Sequence, residues 1–440
     1  MAILQHDEQT YVFIPGKNWK LSLAELITVL KTRKASFKIT DLSKPFFVIA
    51  SNSFIDPNII DTLGGTIKIG KALSQISSET VEDAFLHKKE QALTQIKNHL
   101  ASEPIFINLF DKSLSKLIFG VSVYFENPRF LHASRRIQRF VGNCFKTELA
   151  SRGTRSRFMG YPEGRRLPQL THVEVLKKEL TKQGAEALFC IGKTQTHISK
   201  TLSVHNPFEF QKRDTGRPIQ RKIYSIPPRL AKIMVNLCAC MPGKTLLDPF
   251  CGVGTILQEA LLLKAHVTGI DKNPWCVNAS RINLEWLTKE YRLKETEYDV
   301  LTGDSRDLKN KMNKETVDCI VTEPDLGPPL RHFPTDSYAR RITNKLKPLY
   351  CSFLQGAYEA LKPEGNIVFT TPYIKTRTEN FITLDLEEET KAMGFKSVYP
   401  YESKILADTG PLIEKLAQIS SFADIRKRHK IGRKINIFQK

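Results

Sequence analysis

The sequence predicts an α/β protein whose second half forms a mostly parallel sheet flanked by helices. Three observations lead to this fold class. From about residue 223, short apolar runs typical of buried strands alternate with longer segments of helical periodicity. A glycine-rich turn joins the first of these strands to its helix. The first 190 residues mix strand and helix patterns without that alternation, which indicates smaller α+β units before the sheet.

The chain is long enough for two or three domains, because 440 residues exceed what one hydrophobic core usually supports. We expect a first domain at residues 1–72, with strands at TYVFIPG and PFFVIAS and a helix at LSLAELITVLKTRK, followed by a helical turn, a glycine stop and a strand at IIDTLGGTIKIG. A second domain, residues 73–190, has one helix at SETVEDAFLHKKEQALTQIKNHL and strands at PIFINLF and FGVSVYF. Residues 191–222 mix polar, proline and basic residues, which predicts an ordered linker.

The third domain, residues 223–440, begins with the helix IPPRLAKIMVNL, which opens on two prolines and ends before Pro242-Gly243. Strands are predicted at TLL, AHVTGI, YDVLTGD and VDCIVTEP, followed by a long amphipathic helix from YARR and another strand. We expect the closing strand INIF at the edge of the sheet.

The charge balance favours a polyanionic partner. Basic residues outnumber acidic ones by 66 to 46, and a net charge of +20 attracts phosphates because their neutralisation releases condensed counterions. Nucleic acid is therefore a better candidate than an anionic membrane surface. Arginines and aromatics interleave between residues 129 and 166, which suits phosphate contacts and base stacking, although a solvated basic surface is the alternative. The candidate RNA-contacting residues are Arg135, Arg136, Arg139, Arg155, Arg157, Arg165 and Arg166.

Nothing in the sequence predicts a membrane or metal protein. The N-terminus has acids where a signal peptide needs positive charge, and no segment holds about 18 consecutive apolar residues, so we expect a cytoplasmic protein. The eight cysteines lie in apolar contexts and include no CxxC pair, which predicts buried free thiols and no metal site.

Acidic residues follow four predicted strands in succession: Asp248, Asp271, Asp304 and Glu323. The carboxyl edge of a parallel sheet is where such folds bind ligands, and the two-glycine turn lacks the third glycine of a dinucleotide fingerprint. A cofactor with an amine, a ribose and an adenine fits this series, which predicts S-adenosylmethionine, although any one of these acids is equally explained as a helix cap. The predicted cofactor residues are Asp248, Phe250, Gly252, Gly254, Thr255, Asp271, Asp304 and Ser305.

Residues 223 to about 375 resemble the class I methyltransferase domain of the archaeal and eukaryotic tRNA guanine-10 N2-methyltransferase group, through LAKIMVNL, LLDPFCGVGT, GIDKNP and ASRINLEW. The segment LPQLTHVEVLKKELTKQGAEALFCIG is similar to the end of a THUMP domain, and residues 1–72 resemble the ferredoxin-like domain that often precedes it. The resemblance implies a Rossmann-like, seven-stranded methyltransferase domain after ferredoxin-like and THUMP domains. It also implies that the first two domains hold tRNA and present a guanine to the third.

The segment TEPDLGPPL departs from the family pattern Asp/Asn-Pro-Pro-Tyr. In that pattern the acid and a main-chain carbonyl accept the amine N–H groups while the aromatic stacks on the flipped base. The predicted catalytic residues are Glu323 for the acid, Pro324 for the first proline and Asp325 for the second, as a further acceptor or base. Leu326 replaces the aromatic, and Phe333 or Tyr338 is expected to supply a substitute ring.

We therefore expect methylation of a base amino group in structured RNA, with guanine N2 of tRNA as the leading target. Three alternatives stay open: methylation of another RNA position, DNA amino-methylation, and a tRNA-binding protein that keeps the cofactor pocket without turnover. The sequence also leaves open whether a small activating protein partner is needed.

Overall fold

The computed structural model describes residues 8–110, 116–160, 167–221, 225–294, 297–406, 411–426 and 428–440. Its strands are β1 (Gln9–Pro15), β2 (Phe37–Ser43), β3 (Phe46–Ser51), β4 (Thr66–Ser77), β5 (Lys116–Phe125), β6 (Arg155–Met159), β7 (Gly184–Ile191), β8 (Gln195–Val204), β9 (Thr245–Asp248), β10 (His266–Asp271), β11 (Tyr298–Thr302), β12 (Val317–Thr322), β13 (Leu361–Lys375), β14 (Phe381–Thr383), β15 (Lys396–Ser397), β16 (Ser421–Asp424) and β17 (Ile431–Gln439).

The α-helices are α1 (Trp19–Thr32), α2 (Ser78–Phe85), α3 (Glu90–Leu100), α4 (Glu103–Leu109), α5 (Ser134–Ser151), α6 (His172–Lys177), α7 (Pro207–Asp214), α8 (Pro228–Leu237), α9 (Thr255–Leu262), α10 (Pro274–Glu290), α11 (Leu308–Lys311), α12 (Asp336–Ala360), α13 (Glu387–Met393) and α14 (Pro411–Ala417). Short 3₁₀ turns lie at Pro57–Thr62, Pro128–Leu131, Ser305–Asp307 and Ser403–Ile405. Among these described helices, none combines the length and hydrophobicity needed to cross a bilayer.

The second half is a doubly wound α/β sheet with the strand order β11-β10-β9-β12-β13-β17-β15. Strands β9 to β13 pair in parallel, whereas β17 runs antiparallel to β13. Two further strands, β14 and β16, pair with β13 and β17 outside this seven-stranded path. The predicted fold class is thus confirmed for this half, but INIF is not an edge strand, because β17 is hydrogen-bonded on one side to β13 and on the other to β15 and β16.

The first half forms one eight-stranded sheet with the order β2-β3-β1-β4-β8-β7-β5-β6. The boundary expected after residue 72 falls inside β4, and β4 pairs along most of its length with β8. The segment 191–222, predicted as a linker, contains both β8 and α7. A linker was predicted there because the segment mixes polar, proline and basic residues, and the sequence of β8, QTHISKTLSV, has no apolar run that marks a central strand. The ferredoxin-like and THUMP identities of the first two domains stay predictions.

Two local predictions in the first half were wrong. PIFINLF forms helix α4 rather than a strand: Pro104 lies in the first turn, where its missing N–H costs nothing, and Ile105, Phe106 and Leu109 are buried on one helical face. The long helix expected from Ser78 is two helices, α2 and α3, because the chain turns between them at Lys88, whose φ is 58°.

The two sheets share a core at the contact between α1 and α8. Glu25 of α1 is fully buried there, and its carboxylate accepts hydrogen bonds from the Gly64 and Gly65 amides at 2.8 and 2.7 Å. Asn236 of α8 donates a third hydrogen bond to Glu25 at 2.7 Å, and Arg229 of α8 donates to the Gly64 carbonyl at 2.8 Å. Burial raises the pKa of Glu25, and these hydrogen bonds and Arg229 oppose that rise. The N-terminal sheet and the α/β sheet are therefore joined by a specific polar contact inside a hydrophobic interface.

Candidate active site

The structure places all four predicted acids at one edge of the α/β sheet. In the parallel register Asp248 of β9 is level with Gly269 of β10, and Asp271, two residues on, is level with Thr302 of β11. Asp304 lies two residues after the end of β11, and Glu323 lies one residue after the end of β12. The carboxyl ends of parallel strands form the ligand-binding edge of such sheets.

Both glycines of the turn between β9 and α9 have positive φ, and the space around them differs. Gly252 and Gly254 have φ values of +53° and +85°, in the left-handed region. A Cβ on Gly254 would lie 2.5 Å from Ser280 Oγ, whereas a Cβ on Gly252 would meet nothing within 4 Å. The turn thus packs tightly against α10 at Gly254 and leaves open space at Gly252. Thr255 is the first residue of α9.

Asp248 is buried, with 1% of its surface exposed, and its carboxylate accepts hydrogen bonds from two neighbouring segments. The hydroxyl of Thr322 in β12 donates a hydrogen bond to Asp248 Oδ1 at 2.6 Å, and the Phe250 amide donates to the same oxygen at 3.2 Å. Burial raises the pKa of Asp248 to about 7; these two hydrogen bonds lower it, and the negative charges of Asp271 and Glu323 raise it further. A cation placed against this carboxylate would be strongly favoured.

Asp271 and Asp304 are held in different ways. The two oxygens of Asp271 accept the Gly252 amide at 3.0 Å and the Asn273 amide at 2.8 Å, so the carboxylate is fixed while each oxygen keeps a second lone pair. Asp304 instead accepts both the backbone amide of Arg306 and its guanidinium, the latter at 2.6 Å, and this hydrogen bond lowers the pKa of Asp304. Ser305, next to it, is buried. Asp271 is thus the better-prepared acceptor for two hydroxyl groups.

The candidate catalytic acid Glu323 is bound to an arginine that sequence reasoning did not identify. Arg433 of β17 reaches across β13 and donates through Nε to Oε2 and through Nη2 to Oε1, the second at 3.0 Å. Only 11% of the Glu323 side chain and 17% of the Arg433 side chain are exposed. Burial alone would lower the pKa of Arg433, but the hydrogen bond and charge of Glu323 outweigh burial and raise it.

The loop after Glu323 is hydrogen-bonded to a buried tyrosine. Tyr350 of α12 is fully buried, and its hydroxyl lies 3.1 Å from the carbonyl oxygens of both Asp325 and Thr370. Asp325 itself is exposed, and its carboxylate accepts the amide of Gly327, whose φ is +98°. Pro324 is buried, and Leu326 is partly buried. The altered motif is thus a fixed turn in which Asp325 caps the turn with its side chain.

The two rings proposed to replace the missing aromatic have different surroundings. Tyr338 is 37% exposed in the first turn of α12, and the Arg341 guanidinium lies 4.8 Å from its ring centre. Phe333 is partly buried between the ammonium groups of Lys375 and Lys430, 5.6 and 5.9 Å from its ring centre. Lys430 lies three residues before Arg433, or about 10 Å along an extended chain. Phe333 thus has two cations beside its ring, one of which lies on the segment that leads into Arg433.

The predicted RNA-contacting arginines that the structure describes lie in two groups on different faces. Arg135, Arg136 and Arg139 are exposed on α5, where Arg136 also donates to the Phe85 carbonyl oxygen. Arg155 and Arg157 are exposed on β6, at the edge of the eight-stranded sheet. Because Phe158 of β6 packs against Gly142 of α5, the two β6 arginines project from the opposite face of that strand. Arg165 and Arg166 lie outside the described residues.

Two arginines at the site were missed, the partly buried Arg433 and the buried Arg217, and only one had a sequence signal. Arg433 occupies an alternating position with Ile435 and Ile437, both buried, so a charge on the apolar face of a strand predicts a buried ion pair. Arg217 lies in the segment taken as a linker and donates to Thr255 at the start of α9; no local pattern predicts that contact.

Comparison with known proteins finds methyltransferase family models and a shared fold. A family model described as "RMKL-like, methyltransferase domain" matches residues 219–396, and one described as "DNA methylase" matches residues 59–281, about half of the chain. TrmN from Thermus thermophilus has a crystal structure that covers 98% of this chain and 99% of its own, with a TM-score of 0.54 and 15% identity, which shows a shared fold.

Several curated relatives are named as tRNA (guanine(10)-N2)-dimethyltransferases. The tRNA (guanine(10)-N2)-dimethyltransferase of Methanothermobacter thermautotrophicus is 36% identical over 40% of this chain and 47% of its own length. A probable tRNA (guanine(10)-N2)-dimethyltransferase of Methanothermococcus thermolithotrophicus is 30% identical over 36% of this chain and 85% of its own length. The chain spans about half the length of the longer relatives, from 47% to 58%. With these matches, the chain belongs to the methyltransferases, in the family of the tRNA (guanine(10)-N2)-dimethyltransferases.

Proposed function

We propose that the protein transfers a methyl group from S-adenosylmethionine to an amino nitrogen of a base in structured RNA, with guanine N2 of tRNA as the target. The observation that carries this proposal is the single sheet edge that holds Asp248, Asp271, Asp304 and Glu323 around an open glycine turn. The names of the curated relatives support the same target.

The residues at this edge fit the cofactor. Asp271, fixed by two backbone amides, is placed to accept the ribose hydroxyls, and the open space at Gly252 admits a ligand close to the backbone. Asp248 would bind the amine, because a buried carboxylate whose pKa is raised to about 7 is stabilised as an anion by a nearby cation. Asp304 and Ser305 would lie at the adenine. When bound, the cofactor supplies an electrophilic methyl group on a sulfonium.

Glu323 and the turn that follows it position the base. An exocyclic amine is a poor nucleophile because its lone pair is delocalised into the ring, and acceptors for its N–H groups favour a pyramidal nitrogen. Arg433 fixes the Glu323 carboxylate, and each of its oxygens keeps one lone pair to accept an N–H group. Tyr350 holds the Asp325 carbonyl, and Phe333 offers a ring for stacking. A strong base is not required, since the proton leaves the nitrogen after the methyl arrives.

The first half of the chain would bind the RNA. We propose that residues 1–72 are a ferredoxin-like domain, that residues 73–190 are a THUMP domain, and that the exposed arginines of α5 and β6 contact phosphates on either side of the edge strand. The site would then act on tRNA in the cytoplasm. A small activating partner is compatible with this proposal.

A second candidate function is tRNA and cofactor binding without turnover. The Glu323–Arg433 pair favours it, because Arg433 occupies the oxygens that face it and the motif has a leucine in place of the aromatic. The two candidates differ in whether a methyl group is transferred.

The test incubates the purified protein with labelled S-adenosylmethionine and unmodified bulk tRNA and then digests the RNA to nucleosides. Wild type is compared with Glu323→Ala and with Glu285→Ala, a control at an exposed glutamate on α10. Label in N2-methylguanosine or N2,N2-dimethylguanosine that is lost only in Glu323→Ala supports the proposal. Label in any other nucleoside overturns the target. No label, with cofactor and tRNA both bound, supports the second candidate.

A further inference from the structure

Arg217 is a buried arginine whose charge has no salt-bridge partner among the residues that the structure describes. Only 3% of its surface is exposed. Its Nη1 donates to Thr255 Oγ1 at 2.6 Å and its Nη2 to Ser225 Oγ at 3.0 Å, both uncharged acceptors. Its Nε is buried and has no hydrogen-bond partner among the described residues. A guanidinium withdrawn from water in this way is costly unless an anion compensates it.

The carboxylates nearest to Arg217 do not fill that role. Asp214 and Glu259 act on it only through longer-range charge, and neither lies within salt-bridge distance in the described part of the chain. Glu259 is already bound by Arg213 at 2.7 Å and by Lys232 at 3.2 Å. Burial lowers the pKa of Arg217, and those two distant charges only partly offset it. The site is therefore short of one negative charge.

The position of Arg217 indicates which anion is missing. It contacts the first residue of α9, an eight-residue helix that starts directly after the open glycine turn. Free backbone N–H groups and the helix dipole favour an anion at such a helix start. S-adenosylmethionine has one anionic group, the carboxylate of its methionine part, and Asp248 at the end of β9 is the predicted partner of the adjacent amine.

We propose that Arg217, supported by Ser225 and Thr255, binds the carboxylate of the methionine part of S-adenosylmethionine. This inference rests on the proposed cofactor. Arg217 then separates the two charges of the amino-acid group: it holds the carboxylate while Asp248 holds the ammonium. The sulfonium is thereby fixed relative to the sheet edge that carries Glu323.

The test measures binding by calorimetry with the full-length protein and two ligands: S-adenosylmethionine and decarboxylated S-adenosylmethionine, which keeps the adenosine, sulfonium and amine. Wild type should bind S-adenosylmethionine about 10- to 100-fold more tightly than decarboxylated S-adenosylmethionine, which is the range for a charge-assisted hydrogen-bonded pair. Arg217→Met should bind both ligands equally, with the affinity for the decarboxylated ligand changed less than about threefold. Arg217→Lys should recover part of the difference.

Arg213→Met is the matched control, because Arg213 is equally buried but has Glu259 as its partner. It should lower the thermal stability and leave the discrimination between ligands intact. Equal binding of both ligands by wild type, or undiminished discrimination in Arg217→Met and Arg217→Lys, overturns the inference while the cofactor assignment stands. If wild type binds neither ligand, the proposed function fails instead. If Arg217→Met does not fold, the discrimination between the two ligands is measured in Arg217→Lys and Ser225→Ala instead, and both variants should show less of it than wild type.

Discussion

The ion pair between Glu323 and Arg433 should appear as a large coupling energy in a double-mutant cycle. The variants are Glu323→Gln, Arg433→Met and the combination. Removing one partner of a fully buried pair costs about 3–5 kcal/mol, because the other charge stays buried without compensation. Both side chains here keep some solvent contact, at 11% and 17%, so we expect about 2–3 kcal/mol for each single variant. The double variant should lose less than the sum, with a coupling energy of about 2 kcal/mol.

The assay is urea unfolding at two salt concentrations, with circular dichroism as the measure of the folded fraction. The control is a second cycle on Glu285 and Lys289, an exposed pair on α10 at 2.6 Å, whose coupling should be much smaller and should fade in high salt. The coupling between Glu323 and Arg433 should persist, since both groups are mostly withdrawn from water. A coupling below about 0.5 kcal/mol would show that the pair does not form in solution, and the argument that Arg433 fixes the catalytic acid would fail.

Three further outcomes follow from the site and the RNA surface. Burial raises the pKa of Asp248 from 3.8 to about 7, so between these pH values the folded protein holds a proton there that the unfolded chain releases. The free energy of unfolding should therefore fall as pH rises from about 4 to 7. Asp248→Asn should flatten that pH dependence, measured by urea unfolding. Phe333→Leu should lower kcat/KM for tRNA about 5- to 150-fold, equivalent to the roughly 1–3 kcal/mol of one stacked base, whereas Tyr338→Leu should change it little. Equal effects of the two substitutions would reject Phe333 as the stacking ring. Replacing Arg155 and Arg157 by alanine should weaken tRNA binding and reduce the slope of log affinity against log salt by about one per lost phosphate contact, and an unchanged slope would exclude β6 from the interface.

The α/β half was predictable because its signals are local. Strands β9 and β12 are buried on both faces and β10 is partly buried; all three appear as short strand-like runs, and each ends at an acid or polar turn. The parallel order then places those ends at one edge without any knowledge of side-chain contacts. The glycine positions were equally readable, because glycine adopts the positive φ values found at 252 and 254 at lower cost than other residues.

The first half and the partner of Glu323 were not predictable in this way. Strand β8 is defined by its pairing with β4 and β7, and its own sequence, QTHISKTLSV, has no apolar face that marks it as a central strand. Arg433 meets Glu323 across 110 residues, and only the tertiary fold brings β17 next to β13. Contacts of this kind arise from strand order, which local periodicity does not encode.

The polar contact between α1 and α8 limits how the protein can be dissected. A shortened chain that begins at residue 225 would keep every acid of the catalytic edge, but it would expose the face of α8 that packs against α1 and leave Asn236 without Glu25. Loss of activity in such a fragment would therefore report aggregation or misfolding of the catalytic half rather than loss of RNA contacts. Separate roles for the two halves are better assigned with point variants in the full-length chain.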